Sequence, residues 1–87
     1  MSEKILFVDD DPNILAAYQR QLRRRLNIDV APDAETALKM LRTNGPYAII
    51  VTDLRMPRTD GIQLLMKARE IAPQTVRIML SGSPDQR

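Results

Sequence analysis

Short apolar runs alternate along this chain with longer amphipathic stretches, and each run stops at a polar side chain. Ile5 to Val8 is continuously apolar, with a β-branched residue at each end. Such a run reads as a strand covered on both faces, as in a parallel sheet. It breaks at Asp9-Asp10-Asp11-Pro12, where Asp11 reads as a helix N-cap and Pro12 as the first helical position. Leu15, Tyr18, Leu22 and Leu26 then recur at three- and four-residue steps, which predicts an amphipathic helix over 12–26. Ile28 to Ala31 predicts a second strand. Asp33 caps a second helix, with Ala34, Ala37, Leu38 and Leu41 along one face. Asn44-Gly45-Pro46 stops it, with glycine near C′ and proline beyond. Tyr47 to Thr52 is the clearest strand, and Asp53 follows it. A loop over 54–59 leads to a third helix from about Asp60 to Ala72, apolar at Leu64, Leu65, Ala68, Ile71 and Ala72, and Pro73 ends it. Val76 to Leu80 predicts a fourth strand before Ser81-Gly82.

The order β-α-β-α-β-α-β implies right-handed crossovers and a parallel α/β sheet. One domain is all that 87 residues allow. A chain of this size buries only about 60–65% of its unfolded surface, so its stability margin is thin. The domain proper is taken as 1–81. Residues 82–87 lack an apolar anchor and are expected to form a disordered tail.

Composition narrows the chemistry. There is no cysteine, so no disulfide and no thiolate metal site. There is no histidine either, which removes the usual general base and the commonest metal ligand. Chemistry must rest on carboxylates, hydroxyls, amides and cations. The apolar stretches fall far short of a membrane span, and the first residues lack the pattern of a signal peptide. A cytoplasmic location without a membrane partner is therefore expected. Thirteen basic and 11 acidic residues leave a net charge of +2, too mild to argue for nucleic acid. Arg20, Arg23, Arg24 and Arg25 read as a solvated face favoured by the helix dipole rather than as a nucleic-acid patch.

Ligands of open α/β sheets bind at the carboxyl ends of the strands. If the first and third strands are neighbours, Asp9, Asp10 and Asp53 converge there. Carboxylates so close push one another toward protonation. A hard divalent cation relieves that, and magnesium suits an oxygen-only site with few carboxylates. An aspartate can also attack phosphorus, with magnesium offsetting charge on the transferred oxygens. Ser81 is placed to hydrogen-bond the product phosphate. The plainer readings are Asp11 as a cap, Asp60-Gly61 as a loop end and cap, and Ser81 as a turn serine.

Three segments carry a family resemblance: KILFVDDDP from Lys4 to Pro12, IVTDLRMPRTDG from Ile50 to Gly61, and VRIMLSG from Val76 to Gly82. In this order they resemble the response-regulator receiver (CheY-like) domains of bacterial two-component systems, a flavodoxin-like doubly wound fold. The resemblance implies that Asp53 is the phosphoacceptor and Ser81 the phosphate-sensing switch hydroxyl. It implies an Mg2+ site with Asp10 as a direct ligand, Asp9 helping through water, Asp53, and the backbone carbonyl of Arg55. Met56-Pro57 would shape the loop, and Gly61 would let it enter the third helix. The donor would be a phosphohistidine on a sensor histidine kinase or phosphotransfer protein, or a small phosphodonor. The phosphate would control an output domain, making this a signalling domain rather than a turnover enzyme.

Receivers continue with a helix, a strand and a helix, and carry a lysine at the end of that fifth strand. Here the lysines are Lys4, Lys39 and Lys67, and none ends a strand. The last helix-strand-helix is therefore expected to be lacking, with the fourth strand left as an apolar edge. A fragment, or a homodimer made by strand exchange, would follow. Two other readings compete. One is a phosphorylation-independent receiver-like module for protein interaction or dimerisation. The other is a haloacid-dehalogenase-type phosphatase, which Asp9-x-Asp11 and Ser81 would suit but a helix opening at Pro12 would not.

Overall fold

The structure, a computed structural model, describes residues 3–53 and 61–80. The elements are β1 (Lys4–Val8), α1 (Pro12–Leu22), β2 (Asn27–Ala31), α2 (Ala34–Thr43), β3 (Ile49–Asp53), α3 (Gly61–Ile71) and β4 (Val76–Leu80). The strands form one parallel sheet in the order β2-β1-β3-β4. That order opens the flavodoxin-like winding, in which the chain reverses its direction of travel across the sheet between β1 and β3. The predicted alternation of elements is the one observed.

Strand parity sorts the two faces. Leu6, Val8 and Ile50 point one way and join Ala34, Ala37 and Leu41 of α2 with Leu64 and Ala68 of α3 in the main core. Leu6, Ile50, Leu64 and Thr52 are fully buried. Phe7 points the other way and stacks on Tyr18 of α1, with ring centroids 4.4 Å apart. So α2 and α3 cover one face of the sheet, and α1 covers part of the other.

Local chemistry sets the boundaries. The Asp11 carboxylate accepts from the Asn13 N–H at 2.9 Å, with Pro12 opening α1. The Asp33 carboxylate accepts from the Thr36 N–H at 2.7 Å. These caps satisfy N–H groups that a helix start leaves without a partner. α1 ends at Leu22, four residues short of the predicted limit, and Leu26 is 41% exposed. Arg23, Arg24 and Arg25 offer nothing apolar to hold another turn against the sheet, and the chain must reverse to begin β2 at Asn27. Gly45 does not use left-handed freedom, since no described residue has positive φ. Its need is space: a Cβ there would lie 3.0 Å from the Leu41 carbonyl oxygen.

Tyr47 precedes β3 rather than opening it, yet its ring is buried. Its hydroxyl donates to Asp29 of β2, its carbonyl accepts from the Thr75 hydroxyl at 2.7 Å, and the Lys4 ammonium lies 4.8 Å from its ring centre. This one residue links Lys4 of β1 and Asp29 of β2 to the residues that lead into β3 and β4.

Among the described residues β4 has one strand neighbour, β3. Val76, Ile78 and Leu80 share the face of Ile49 and Val51 and are 55%, 39% and 44% exposed. The expected apolar edge is therefore present.

Candidate functional site

β1 and β3 pair directly, with Val8 opposite Thr52. The next residue of each strand is an aspartate, so Asp9 and Asp53 emerge side by side at the carboxyl end of the sheet. Asp9 keeps to the ladder one step beyond β1, its N–H donating to the Ala31 carbonyl at 3.2 Å. Its carboxylate accepts from the Asp11 N–H at 2.9 Å, which fixes the turn into α1. Asp9 is buried at 7% exposure, Asp53 is half-buried and Asp10 is exposed. One carboxylate oxygen from each of the three lies within 4.8 Å of the others.

The electrostatics follow from this crowding. Burial raises the Asp9 carboxyl above its ordinary value. The hydrogen bond from the Asp11 backbone opposes that, and the charges of Asp53, Asp10 and Asp11 add to the rise. Tyr18 feels the same group: burial first, then the charges of Asp9 and Asp53, push its hydroxyl upward. Tyr18 was legible in the sequence as an inward helix position but not as a neighbour of the acids. The available signal was a tyrosine on a buried stripe, since a phenol there needs an outlet for its polar tip.

The donor set fits magnesium. All its atoms are oxygens, few carboxylates are involved, one is buried and burdened by charge, and the exposed Asp10 leaves the group open to water. Asp9, Asp10 and Asp53 are thus brought together, as expected on the condition that the first and third strands are neighbours. Asp11 is a cap. Arg55, Met56, Pro57, Asp60 and Ser81 lie outside the described residues, while Gly61 opens α3 and is buried. Of the lysines, Lys4 opens β1, and Lys39 and Lys67 are exposed on α2 and α3.

Comparison with known proteins decides the family, because the profile of the response regulator receiver domain matches residues 5–87. The chain belongs to this family. The receiver is 33% identical over 87 residues to the alkaline phosphatase synthesis transcriptional regulatory protein PhoP of Bacillus subtilis, covering 99% of this chain and 36% of PhoP. The solved adenylate cyclase of Rhodopirellula baltica superposes with a TM-score of 0.91 at 34% identity, over 98% of this chain and 63% of that one. The response regulator protein TrrA of Thermotoga maritima, solved in complex with Mg(2+)-BeF, gives 0.82 at 30% identity, over 98% and 74%. The chain spans about a third of the length of PhoP. Receivers are signalling domains of two-component systems and generally not turnover enzymes. Phosphorylation and Mg2+ dependence, the latter through clustered acidic residues, are general features of the family. The family match sets the phosphatase reading aside. Among the described residues no helix is long and apolar enough to cross a membrane.

Proposed function

We propose that this receiver is a phosphorylation switch in which Asp53 accepts a phosphoryl group from a histidine kinase, a phosphotransfer protein or a small phosphodonor. The observation that carries the reading is the convergence of Asp53 with Asp9 and Asp10 at the end of two adjacent central strands. Asp9, Asp10, Asp53 and the carbonyl of Arg55 would hold Mg2+, which when bound offsets charge on the phosphoryl oxygens. A carboxylate oxygen of Asp53 forms a bond to phosphorus as the donor's P–N or P–O bond breaks, and the leaving atom takes up a proton where its basicity requires one. None of these 87 residues is a histidine, so the donor lies outside them. β3 holds Asp53 rigidly: its backbone continues a strand whose Ile50 and Thr52 are fully buried. Ser81, one residue beyond β4, would bond to the transferred phosphate and carry the change to an output domain, in a cytoplasmic protein. The receiver proper spans 1–81, followed by the tail 82–87.

Acetyl phosphate with MgCl2 should add one phosphoryl group to the chain, seen as a mass increase, and Asp53→Asn should abolish it. Labelling that survives the substitution refutes the assignment. Absence of Mg2+-dependent chemical-shift changes around Asp53 would instead favour an interaction module that works without phosphate.

A further inference from the structure

The end of the sheet opposite the acids carries a second constellation. α1 finishes near Arg20, and Arg23, Arg24 and Arg25 follow in the turn to β2; all four are exposed. Arg23, Arg24 and Arg25 with Leu26, Asn27 and Ile28 line an open depression of about 360 Å3. Asn27 is in register with Lys4 at the start of β1. Asp9 lies five strand steps further on, about 17 Å at roughly 3.3 Å per step. The backbone here is fixed: the N–H groups of Arg25 and Leu26 both donate to the Leu22 carbonyl, at 2.9 and 2.8 Å.

Among the described residues the arginines have no counter-charge in contact. Among the described residues the ion pair within 4.0 Å is Lys4 with Asp29, and none of the four guanidinium groups has a carboxylate partner. The dipole of α1 explains a cation at its last turn, Arg20, and at its cap, Arg23. It does not explain Arg24 and Arg25, which lie past the helix. Nor does it explain Leu26, 41% exposed among them. A cationic rim around an aliphatic floor, unsatisfied from within the described fold, has the composition of a protein-docking surface.

We propose that this depression docks an acidic segment of a partner protein, in which carboxylates flank one aliphatic side chain. Guanidinium forks match carboxylates in a bidentate fashion. Leu26 and Ile28 supply the floor for the aliphatic group, and the exposed Asn27 brings an amide to pair with the segment's main chain. A nucleic-acid backbone would use the arginines and leave Leu26 bare. Nucleic-acid surfaces also stack bases on exposed rings, whereas Phe7, Tyr18 and Tyr47, the chain's only aromatic residues, are buried or half-buried. The separation from Asp53 lets both ends be occupied at once.

The test titrates the full chain with a capped, fluorescein-labelled peptide in which one leucine stands between pairs of glutamates. Binding should shift the amide resonances of 20–28. Arg24→Glu with Arg25→Glu should weaken it about tenfold, as two lost ion pairs at surface strength imply. Changing the peptide leucine to serine should weaken binding several-fold to the unaltered chain, and much less to Leu26→Ser. The peptide-side change needs no protein variant, so a folding defect cannot imitate it. Equal affinity for the leucine and serine peptides overturns the proposal. So does binding that the double reversal leaves unchanged, or tighter binding of a short duplex DNA at the same ionic strength.

Discussion

Replacing Asp9 by asparagine should make the metal-free receiver more stable and at the same time deprive it of its response to magnesium. The substitution removes one of three negative charges whose oxygens lie within 4.8 Å of one another. At that separation two unit charges repel by about 1 kcal/mol in a water-like dielectric and about 3.5 kcal/mol at an effective dielectric near 20. Asp9 is 7% exposed, whereas Asp10 is open to solvent, so the weaker value suits that pair and a middle value suits Asp53. Asparagine keeps an oxygen for the Asp11 N–H but as a neutral acceptor, which returns about 1 kcal/mol of the gain. The net expectation is about 1–2 kcal/mol of added stability, or roughly 4–15 °C in Tm for a domain of this size. The gain also has a pH signature. The folded chain holds the Asp9 proton above the ordinary value of 3.8, where the unfolded chain has lost it. Asp9 therefore supports the fold below that value and loses the support as pH rises through its folded value, so the benefit of asparagine shrinks on acidification. Magnesium at tenfold its dissociation constant should stabilise the unaltered chain by about 1.4 kcal/mol. Thermal unfolding followed by circular dichroism, in EDTA and in MgCl2, measures both effects. A lower Tm for Asp9→Asn in EDTA refutes the electrostatic reasoning, and an undiminished magnesium response refutes the ligand assignment.

Three further outcomes follow from the rest of the fold. Burial first, then the hydrogen bond to Asp29 and that carboxylate's charge, raise the Tyr47 hydroxyl above its ordinary 10.0. Its support is complete below that pH and is lost as pH rises through the folded value. Denaturant midpoints should therefore fall in alkali, and less so in Tyr47→Phe, which starts lower at neutral pH; two tyrosines ionising normally in an intact fold would contradict this. Thr75→Val removes the donor to the Tyr47 carbonyl at a 4%-exposed position and should cost about 1–2 kcal/mol; a Tm within a degree of the parent would rule that contribution out. The apolar face of β4 should drive concentration-dependent self-association, which Ile78→Lys should suppress in sedimentation velocity; a monomer at all concentrations before the substitution removes the premise.

The alternation of elements was readable because each strand is a short apolar run ending in a turn former, and both caps were readable because aspartate precedes each helix. Adjacency of β1 and β3 was not in the pattern itself. It entered as a condition, and the convergence of Asp9, Asp10 and Asp53 hung on it. Two details escaped. Leu26 fits the 3.6-residue period of α1, but periodicity carries no information about when a helix must stop to let the chain return to a sheet. Tyr47 was read as the start of β3 because a buried aromatic residue beside a strand looks the same as one inside it. Only the geometry shows that its hydroxyl and carbonyl bridge β2 and the approach to β4.

The acidic group and the fold draw on the same small reserve of stability. Asp9 is buried because the β1–β2 ladder carries its backbone one step past Val8, to the Ala31 carbonyl, and Asp53 is half-buried as the last residue of a central strand. Neither side chain can move into solvent without loosening the pairing of β1 with β3, which Leu6 and Ile50 hold from within the core. Repulsion at the site is therefore borne by the most tightly packed part of the sheet, while the looser edge at β4 lies one strand away. A cation that relieves that repulsion tightens the central strands directly and β4 only through β3. Hydrogen exchange should register the difference: magnesium should slow the amides of β1 and β3 more than those of β4, and equal slowing along all strands would mean that the site acts on global stability alone.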